Sequence, residues 1–108
     1  MTLRTGDVVL IRMQYHQTQG SKIRPALVLL DTGDDDFVAA PITSQPRTSE
    51  YDLDLDGWRA AGLNVPSSVR VHKLTVLPKS DVVRHLGSCS GSDGEALLKV
   101  LCHAFCPR

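Results

Sequence analysis

The chain lacks any long apolar run. No window of about 18 residues in the 108-residue sequence is continuously apolar, and a helix needs roughly that length to cross a bilayer. The N-terminus also has no charged region followed by an apolar one, which is the pattern of a secretory signal. We therefore expect a protein without membrane association and with a cytoplasmic location.

Cysteine is scarce and odd in number. Three cysteines, at positions 89, 102 and 106, do not form a framework of paired disulfides, in agreement with a reducing compartment. Cys102, His103 and Cys106 are residue types that bind zinc, but only the two sulfurs share a helix face and no second pair of ligands exists. We therefore expect no zinc site in this segment.

Alternating aspartates at positions 52, 54 and 56 form a second pattern that could indicate a metal. On a strand these three carboxylates point into water on one side, but they project in parallel about 7 Å apart and do not converge on one cation. The sequence therefore predicts neither a metal nor a cofactor.

The chain has no net charge, because 12 basic and 12 acidic residues cancel. This balance argues against a nucleic-acid-binding protein with a uniformly basic surface. The charges are nevertheless sorted into blocks, with a net charge of +3 in residues 1–24, −7 in residues 31–56 and +4 in residues 58–88. The blocks are either ordinary solvated loops or a local basic surface available to phosphates.

The length allows one hydrophobic core and no second one, so we expect a single domain over residues 1–108. Short apolar or alternating runs between turn residues predict strands, and a small barrel or strongly bent sheet is typical of such spacing. The predicted strands cover 6–13, 25–30, 37–43, 51–56, 67–72 and 81–87, with 75–77 as a short continuation. A capping box from Ser92 to Glu95 and an apolar stripe predict a C-terminal helix.

Arg24 stands where a buried strand emerges into solvent. Pro25 fits only at the first residues of a strand or on an unpaired edge, because it has no N–H to donate. A second apolar run begins at residue 37 and ends in Thr43. If the two strands pair as a hairpin, Arg24 and Thr43 meet at one end, where a guanidinium matches the geometry of a phosphate.

Five motifs together resemble the PemK/MazF family of toxin endoribonucleases. They are GDVVL at 6–10, KIRPALV at 22–28, PITSQ at 41–45, SSVRVHKL at 67–74 and VVRHLG at 82–87, followed by a terminal helix. The resemblance extends from residue 6 to about residue 105. It implies an SH3-like barrel of five to seven strands with a C-terminal α-helix packed on it, acting as a homodimer.

The resemblance further implies a metal-independent, sequence-specific endoribonuclease that cleaves single-stranded RNA and is neutralised by a cognate antitoxin. The 2′-OH of RNA would attack its own phosphate and give a 2′,3′-cyclic phosphate and a 5′-OH. Arg24 and Thr43 match the family's catalytic positions. Since the pKa of an arginine is above about 12, stabilisation of phosphate charge suits Arg24 better than proton transfer.

Further candidates surround this pair. His72 is a possible proton carrier, although relatives carry an acidic residue at that place and a lone surface histidine is more often idle. The candidate RNA-binding residues are Lys22, Ser44, Gln45, Arg47, Arg70 and Lys73. A simpler interpretation is that Arg24 pairs with an aspartate and that Thr43 satisfies a backbone group.

Two other functions are compatible with the same fold. One is a non-catalytic binding module that acts as a toxin by binding a topoisomerase, as related barrels do. The other is a regulator that represses its own operon together with an antitoxin. The arginine–proline–alanine and threonine–serine–glutamine motifs favour the nuclease.

Overall fold

A computed structural model of the protein describes residues 1–14, 20–46 and 48–107. Within these residues the chain forms seven strands and one α-helix, so the predicted mainly β fold with a C-terminal helix is confirmed. The elements are β1 (Asp7–Gln14), β2 (Ser21–Leu30), β3 (Asp36–Thr43), β4 (Asp52–Asp54), β5 (Ser68–Arg70), β6 (Thr75–Pro78), β7 (Val82–Ser88) and α1 (Gly91–Phe105). No helix in the described part of the chain is long and apolar enough to cross a membrane.

The strands form one antiparallel sheet in the order β4-β5-β3-β2-β1-β7, and β6 also pairs with β3. Because β3 pairs with β2, β5 and β6, it is the strand around which the sheet bends. Among the described residues, β4 and β7 do not pair with each other, so the barrel-like sheet stays open.

The central strands are buried on both faces, which explains the continuous apolar run of β2. Val8 and Leu27 pack in one cluster with Leu97 of α1, whereas Val9 and Val28 pack in a second cluster on the opposite face. Successive side chains of a strand point to opposite faces, so a strand between two clusters has no polar side. The central strands are therefore a rigid support for the side chains that the sheet exposes.

The predicted strand over 67–72 is wrong in its second half. β5 ends at Arg70, and Val71–Lys73 forms a short 3₁₀ turn. Val71 stays buried in the first cluster, and its N–H donates to the carbonyl oxygen of Tyr51 at 3.1 Å. The turn lets the chain reverse, so that Thr75–Pro78 pairs with β3 as a separate strand.

The predicted N-cap of the helix is also wrong. Ser90, not Ser92, caps α1, and its hydroxyl accepts a hydrogen bond from the N–H of Asp93 at 3.1 Å. Asp93 is buried and accepts from the N–H groups of Asp56 at 3.1 Å and Gly57 at 2.9 Å. The helix therefore begins at Gly91, earlier than expected, and Asp93 in its first turn binds the backbone of the loop at residues 56 and 57.

The acidic row at 52, 54 and 56 does not point into water as a whole. The side chain of Asp52 is only 2% exposed and accepts from Arg70 Nε at 3.1 Å. It also accepts from the hydroxyl of Ser49 at 2.7 Å. Burial alone raises the pKa of Asp52, but the hydrogen bonds from Ser49 and Arg70 outweigh it and leave that pKa below its ordinary value.

Candidate active site

The register of β2 and β3 brings Arg24 and Thr43 together. Ala26 pairs with Pro41 in this antiparallel ladder, and Arg24 and Thr43 each stand two residues beyond that pair. Because side chains alternate along a strand, the register places the two residues on one face of the sheet, although the β2–β3 ladder itself ends at the Ala26–Pro41 pair and Thr43 pairs with Ser68 of β5. Both line the same cleft. Arg24 lies inside β2, which begins at Ser21, and it pairs with Ile11 of β1, so the prediction that Arg24 stands where the strand emerges is wrong.

The hydroxyl of Thr43 is oriented by the turn that follows it. Thr43 Oγ1 accepts a hydrogen bond from the N–H of Gln45 at 3.1 Å. A hydroxyl has two acceptor lone pairs and one hydrogen, so this contact uses an acceptor position and leaves the hydrogen available to a ligand. The backbone contact considered above is thus present, and it is compatible with donation into the cleft.

Arg24 is exposed and carries no ion pair with any carboxylate in the described part of the chain. Its neighbour Pro25 pairs with Leu10 of β1 and is half-buried, which fixes the backbone from which Arg24 projects. The guanidinium therefore presents its donors at the cleft without an internal counter-ion.

The cleft has a volume of about 590 Å³ and extends from Arg24 of β2 and Thr43 of β3 to β7. A second cation, Arg84, lines it from β7, where it pairs with Leu10 of β1. Leu10 thus separates Pro25 on one side from Arg84 on the other. In the sequence, Arg84 lies in the predicted strand over 81–87 and in the +4 block, but no local pattern indicates that this strand lies beside β1 and near Arg24.

The far wall of the cleft is held by contacts between backbone segments. Gly62 has a φ of +92°, and a Cβ atom there would lie 2.6 Å from the carbonyl oxygen of Leu86. A Cβ atom on Gly87 would lie 2.7 Å from the carbonyl oxygen of Ala61. Only glycine permits both approaches, so the loop that carries Asn64 is held directly against β7.

A second pocket, of about 340 Å³, lies beside the cleft and shares Arg24 and Thr43 with it. Its other walls are mostly apolar and include Met13, Ala39 and Leu77. Lys73, one of the predicted RNA-binding residues, lines this second pocket. Arg24 and Thr43 therefore stand on the rim between the first cleft, which has the more polar lining although Leu63 and Leu86 also line it, and a mainly apolar pocket; these are called the polar cleft and the apolar pocket below.

The remaining predicted site residues are divided. Ser44 and Gln45 line the cleft with Arg24 and Thr43. Lys22 is exposed on β2 but lines neither pocket, and Arg70 is bound by Asp52. Arg47 lies outside the described residues.

His72 does not line the cleft or the apolar pocket. It follows β5 in the 3₁₀ turn, where its ring centroid is 5.7 Å from that of Tyr51, and its Nδ1 is buried without a hydrogen-bond partner among the described residues. Tyr51 also stacks on His103 of α1, with centroids 5.5 Å apart. The structure thus places His72 in an aromatic contact with Tyr51 and outside the lining of both pockets.

The described residues that line the cleft include no histidine, aspartate or glutamate. In the described part of the chain, no group of three or more histidine, cysteine, aspartate or glutamate side chains could hold a metal ion. What the cleft offers is fixed positive charge, hydroxyl and amide groups. Such groups can bind a phosphate and stabilise additional charge on its oxygens.

Comparison with known proteins identifies the family. The model for PemK-like, MazF-like toxins of type II toxin–antitoxin systems matches residues 4–105. The solved structure of the Mycobacterium tuberculosis toxin MazF-mt6 is similar, with 27% sequence identity and a TM-score of 0.72 over 90% of this chain and 95% of that one. A search of curated protein sequences found no match.

Two more distant structures share the fold. One is an endoribonuclease in complex with its cognate antitoxin from a Mycobacterial species, with 17% identity and a TM-score of 0.76 over 95% of this chain and 94% of that one. The other is MazE–MazF from Deinococcus radiodurans, with 19% identity and a TM-score of 0.75 over 93% and 92%. Since the family model matches nearly the whole chain, this protein belongs to the PemK/MazF family of toxins of type II toxin–antitoxin systems.

Proposed function

We propose that this protein is an endoribonuclease that cleaves single-stranded RNA without a metal ion. The observation that carries the proposal is the placement of Arg24 and Thr43 across β2 and β3, on the rim of a cleft that also contains Arg84. Membership of a family whose solved relatives include proteins described as endoribonucleases supports it.

The reaction needs little from the protein, because RNA carries its own nucleophile. The 2′-OH attacks the adjacent phosphorus in line, a P–O2′ bond forms and the P–O5′ bond breaks. The products are a 2′,3′-cyclic phosphate and a 5′-OH, after one proton leaves the 2′ oxygen and one reaches the 5′ oxygen. Holding the backbone in this geometry and neutralising the phosphate provide most of the catalysis.

Arg24 and Thr43 have separate roles in this proposal. The guanidinium of Arg24 binds two non-bridging phosphate oxygens and stabilises the charge that grows on them. The hydroxyl of Thr43, held by the N–H of Gln45, donates its hydrogen to one of the same oxygens. His72 is given no role in proton transfer, because its ring packs against Tyr51 outside the cleft.

A cognate antitoxin and a second copy of the chain are the proposed protein partners. Solved relatives of the same fold were obtained with their antitoxins. An acidic antitoxin segment that competes with RNA for Arg24 and Arg84 would neutralise the toxin, because both ligands are anionic. Sequence specificity would come from the side chains around the cleft.

Incubation of the purified protein with single-stranded RNA in EDTA tests the proposal. We expect cleavage with 5′-OH ends, and we expect Arg24→Ala to lower the rate by about a hundredfold or more while the far-UV circular dichroism is unchanged. Lys99→Ala is the control, because Lys99 is an exposed cation on α1 that lines neither pocket.

Two results would contradict the proposal. Undiminished cleavage by Arg24→Ala would exclude Arg24 from the active site. Cleavage of RNA with a 2′-deoxy sugar at the cut position would show that the 2′-OH is not the nucleophile. If the wild-type protein binds RNA without cutting it, the protein is a binding module on the same fold.

A further inference from the structure

We infer that the two pockets on either side of Arg24 and Thr43 accept the two nucleotides that flank the cut phosphate, one by hydrogen bonding and the other by apolar contact. This inference rests on the proposed function, because it takes the phosphate to lie at Arg24 and Thr43. It assigns a strict base preference to one side of the cut and a permissive one to the other.

The two pockets lie on either side of Arg24 and Thr43, so an RNA strand that occupies both must cross these residues. The polar cleft and the apolar pocket share five lining residues and diverge from there: Arg24, Pro25, Ile42, Thr43 and Gln45. A phosphate bound on the shared residues has one nucleotide on its 5′ side and one on its 3′ side. Each base then meets the pocket on its own side, and volumes of about 590 Å³ and 340 Å³ are large enough for small ligands.

The polar cleft can read a base. Asn64 stands on its wall, exposed, and none of the hydrogen bonds among the described residues uses its amide. An amide presents one acceptor and a pair of donors in one plane, which distinguishes bases by their edges. Ser44 adds a hydroxyl, and Arg84 adds a cation for the next phosphate. An incorrect base would leave these polar groups unpaired.

The apolar pocket offers contact without such discrimination. Apolar side chains form most of its walls beside Thr75, among them Met13, Ala39, Pro41 and Leu77, and they contact the face of a base without selecting its edge. The cation at its edge, Lys73, suits a phosphate on this side of the cut. The occupant is therefore a nucleotide whose charge is held at the edge and whose base rests on apolar side chains.

The test uses short single-stranded RNAs that differ only in the base on one side of the mapped cut. With the wild-type protein, we expect the rates for the best and worst base to differ by about tenfold or more on one side. On the other side, we expect a difference of less than about threefold. Equal preference on both sides overturns the assignment of the pockets, although the RNA cleavage itself then stands.

Two variants and their controls identify which pocket has which role. Asn64→Ala should reduce the strict preference to below about threefold, whereas Ser80→Ala, at an exposed residue that lines neither pocket, should keep it. Met13→Ala should slow cleavage by a similar factor for all four bases on the permissive side. Leu98→Ala, at an exposed apolar residue of α1, should not. Retention of the strict preference in Asn64→Ala overturns the inference.

A binding measurement separates this inference from the proposed function. If the wild-type protein cuts no RNA, the same base series is measured as affinity for oligonucleotides with a 2′-deoxy sugar at the central position. The same asymmetry in Kd supports the two pockets, and its loss in Asn64→Ala identifies the polar one. Affinities that are independent of the base on both sides refute the two-pocket assignment whatever the outcome for catalysis.

Discussion

At the scale of the residue, the candidate site depends on the hydroxyl of Thr43, which already accepts one hydrogen bond. The contact from the Gln45 N–H holds Thr43 Oγ1 in place and leaves its hydrogen for a ligand. Arg70, in contrast, is less available to a ligand, because its Nε donates to the nearly buried carboxylate of Asp52. Two residues that look equally polar in the sequence therefore have different availability.

The role of the Thr43 hydroxyl can be tested by two substitutions of similar volume. Thr43→Val removes the donor, and we expect the cleavage rate to fall by about tenfold to a hundredfold. Thr43→Ser keeps the hydroxyl and should retain most of the rate. Initial rates on a fluorescent RNA oligonucleotide measure both, and equal rates for wild type and Thr43→Val would exclude a catalytic hydroxyl.

Asp52 is predicted to contribute to stability and not to catalysis. Asp52→Ala leaves the Arg70 guanidinium and the Ser49 hydroxyl without their acceptor, which should lower the free energy of unfolding by about 1–3 kcal/mol. Urea unfolding measures this change. Asp35→Ala is the control, because Asp35 is exposed, and equal stability of the two variants would contradict the prediction.

At the scale of the element, the strands were easier to predict than their ends. Continuous apolar runs predicted β1, β2 and β3, because two buried faces leave an unmistakable pattern. The run over 67–72 alternates correctly, yet it breaks after Arg70 because β6 must reach β3. Such a turn is set by a pairing with residues 36–39, which a local pattern does not contain.

The start of α1 was also not predictable from the local pattern, since Ser90 and not Ser92 caps the helix. Ser90→Ala should lower the free energy of unfolding by about 1 kcal/mol, since it removes the acceptor for the Asp93 N–H. Ser92→Ala should have an effect of less than about 0.5 kcal/mol. Thermal unfolding of the two variants decides between the caps, and a larger loss in Ser92→Ala would restore the cap expected from the sequence.

At the scale of the whole molecule, buried carboxylates connect distant parts of the chain. Asp7 accepts hydrogen bonds from the Arg4 N–H and the Ser88 hydroxyl. Burial raises the pKa of Asp7, but these two hydrogen bonds and the nearby His85 outweigh burial and leave that pKa below its ordinary value. The Leu3 N–H, the Lys79 ammonium and the Gly33 N–H lower the pKa of Asp31 to about 2. Both groups tie the N-terminal segment to the rest of the fold.

These lowered pKa values predict a loss of stability in acid. A carboxylate whose pKa is lower in the folded protein than in the unfolded chain stabilises the fold above its unfolded value of 3.8, and this contribution disappears as the pH falls towards the folded value. We expect the urea midpoint to decrease from about pH 5 to about pH 2. In Asp31→Asn the decrease at the lowest pH should be smaller. A midpoint independent of pH over this range would contradict the prediction.

The site was predictable only in part for a similar reason. The hairpin geometry places Arg24 and Thr43 together from local sequence, because β2 and β3 are consecutive. Arg84 comes from β7, which reaches the cleft only by pairing with β1, and Asn64 comes from a loop held by Gly62 and Gly87. Contacts between remote segments decide those positions. The sequence pattern also gave no sign of the 3₁₀ turn that contains His72.

The contact of Gly62 and Gly87 with neighbouring carbonyl oxygens has a consequence for how this family can diversify. Main-chain atoms set the spacing between the loop and β7, so the side chains on the loop can be exchanged without altering the width of the cleft. If Asn64 reads a base, as inferred above, a new residue at position 64 would change the preferred RNA sequence, while Arg24 and Thr43 would stay where they are. On that proposal, few substitutions in this loop would be enough to change the RNA sequence that the protein recognises.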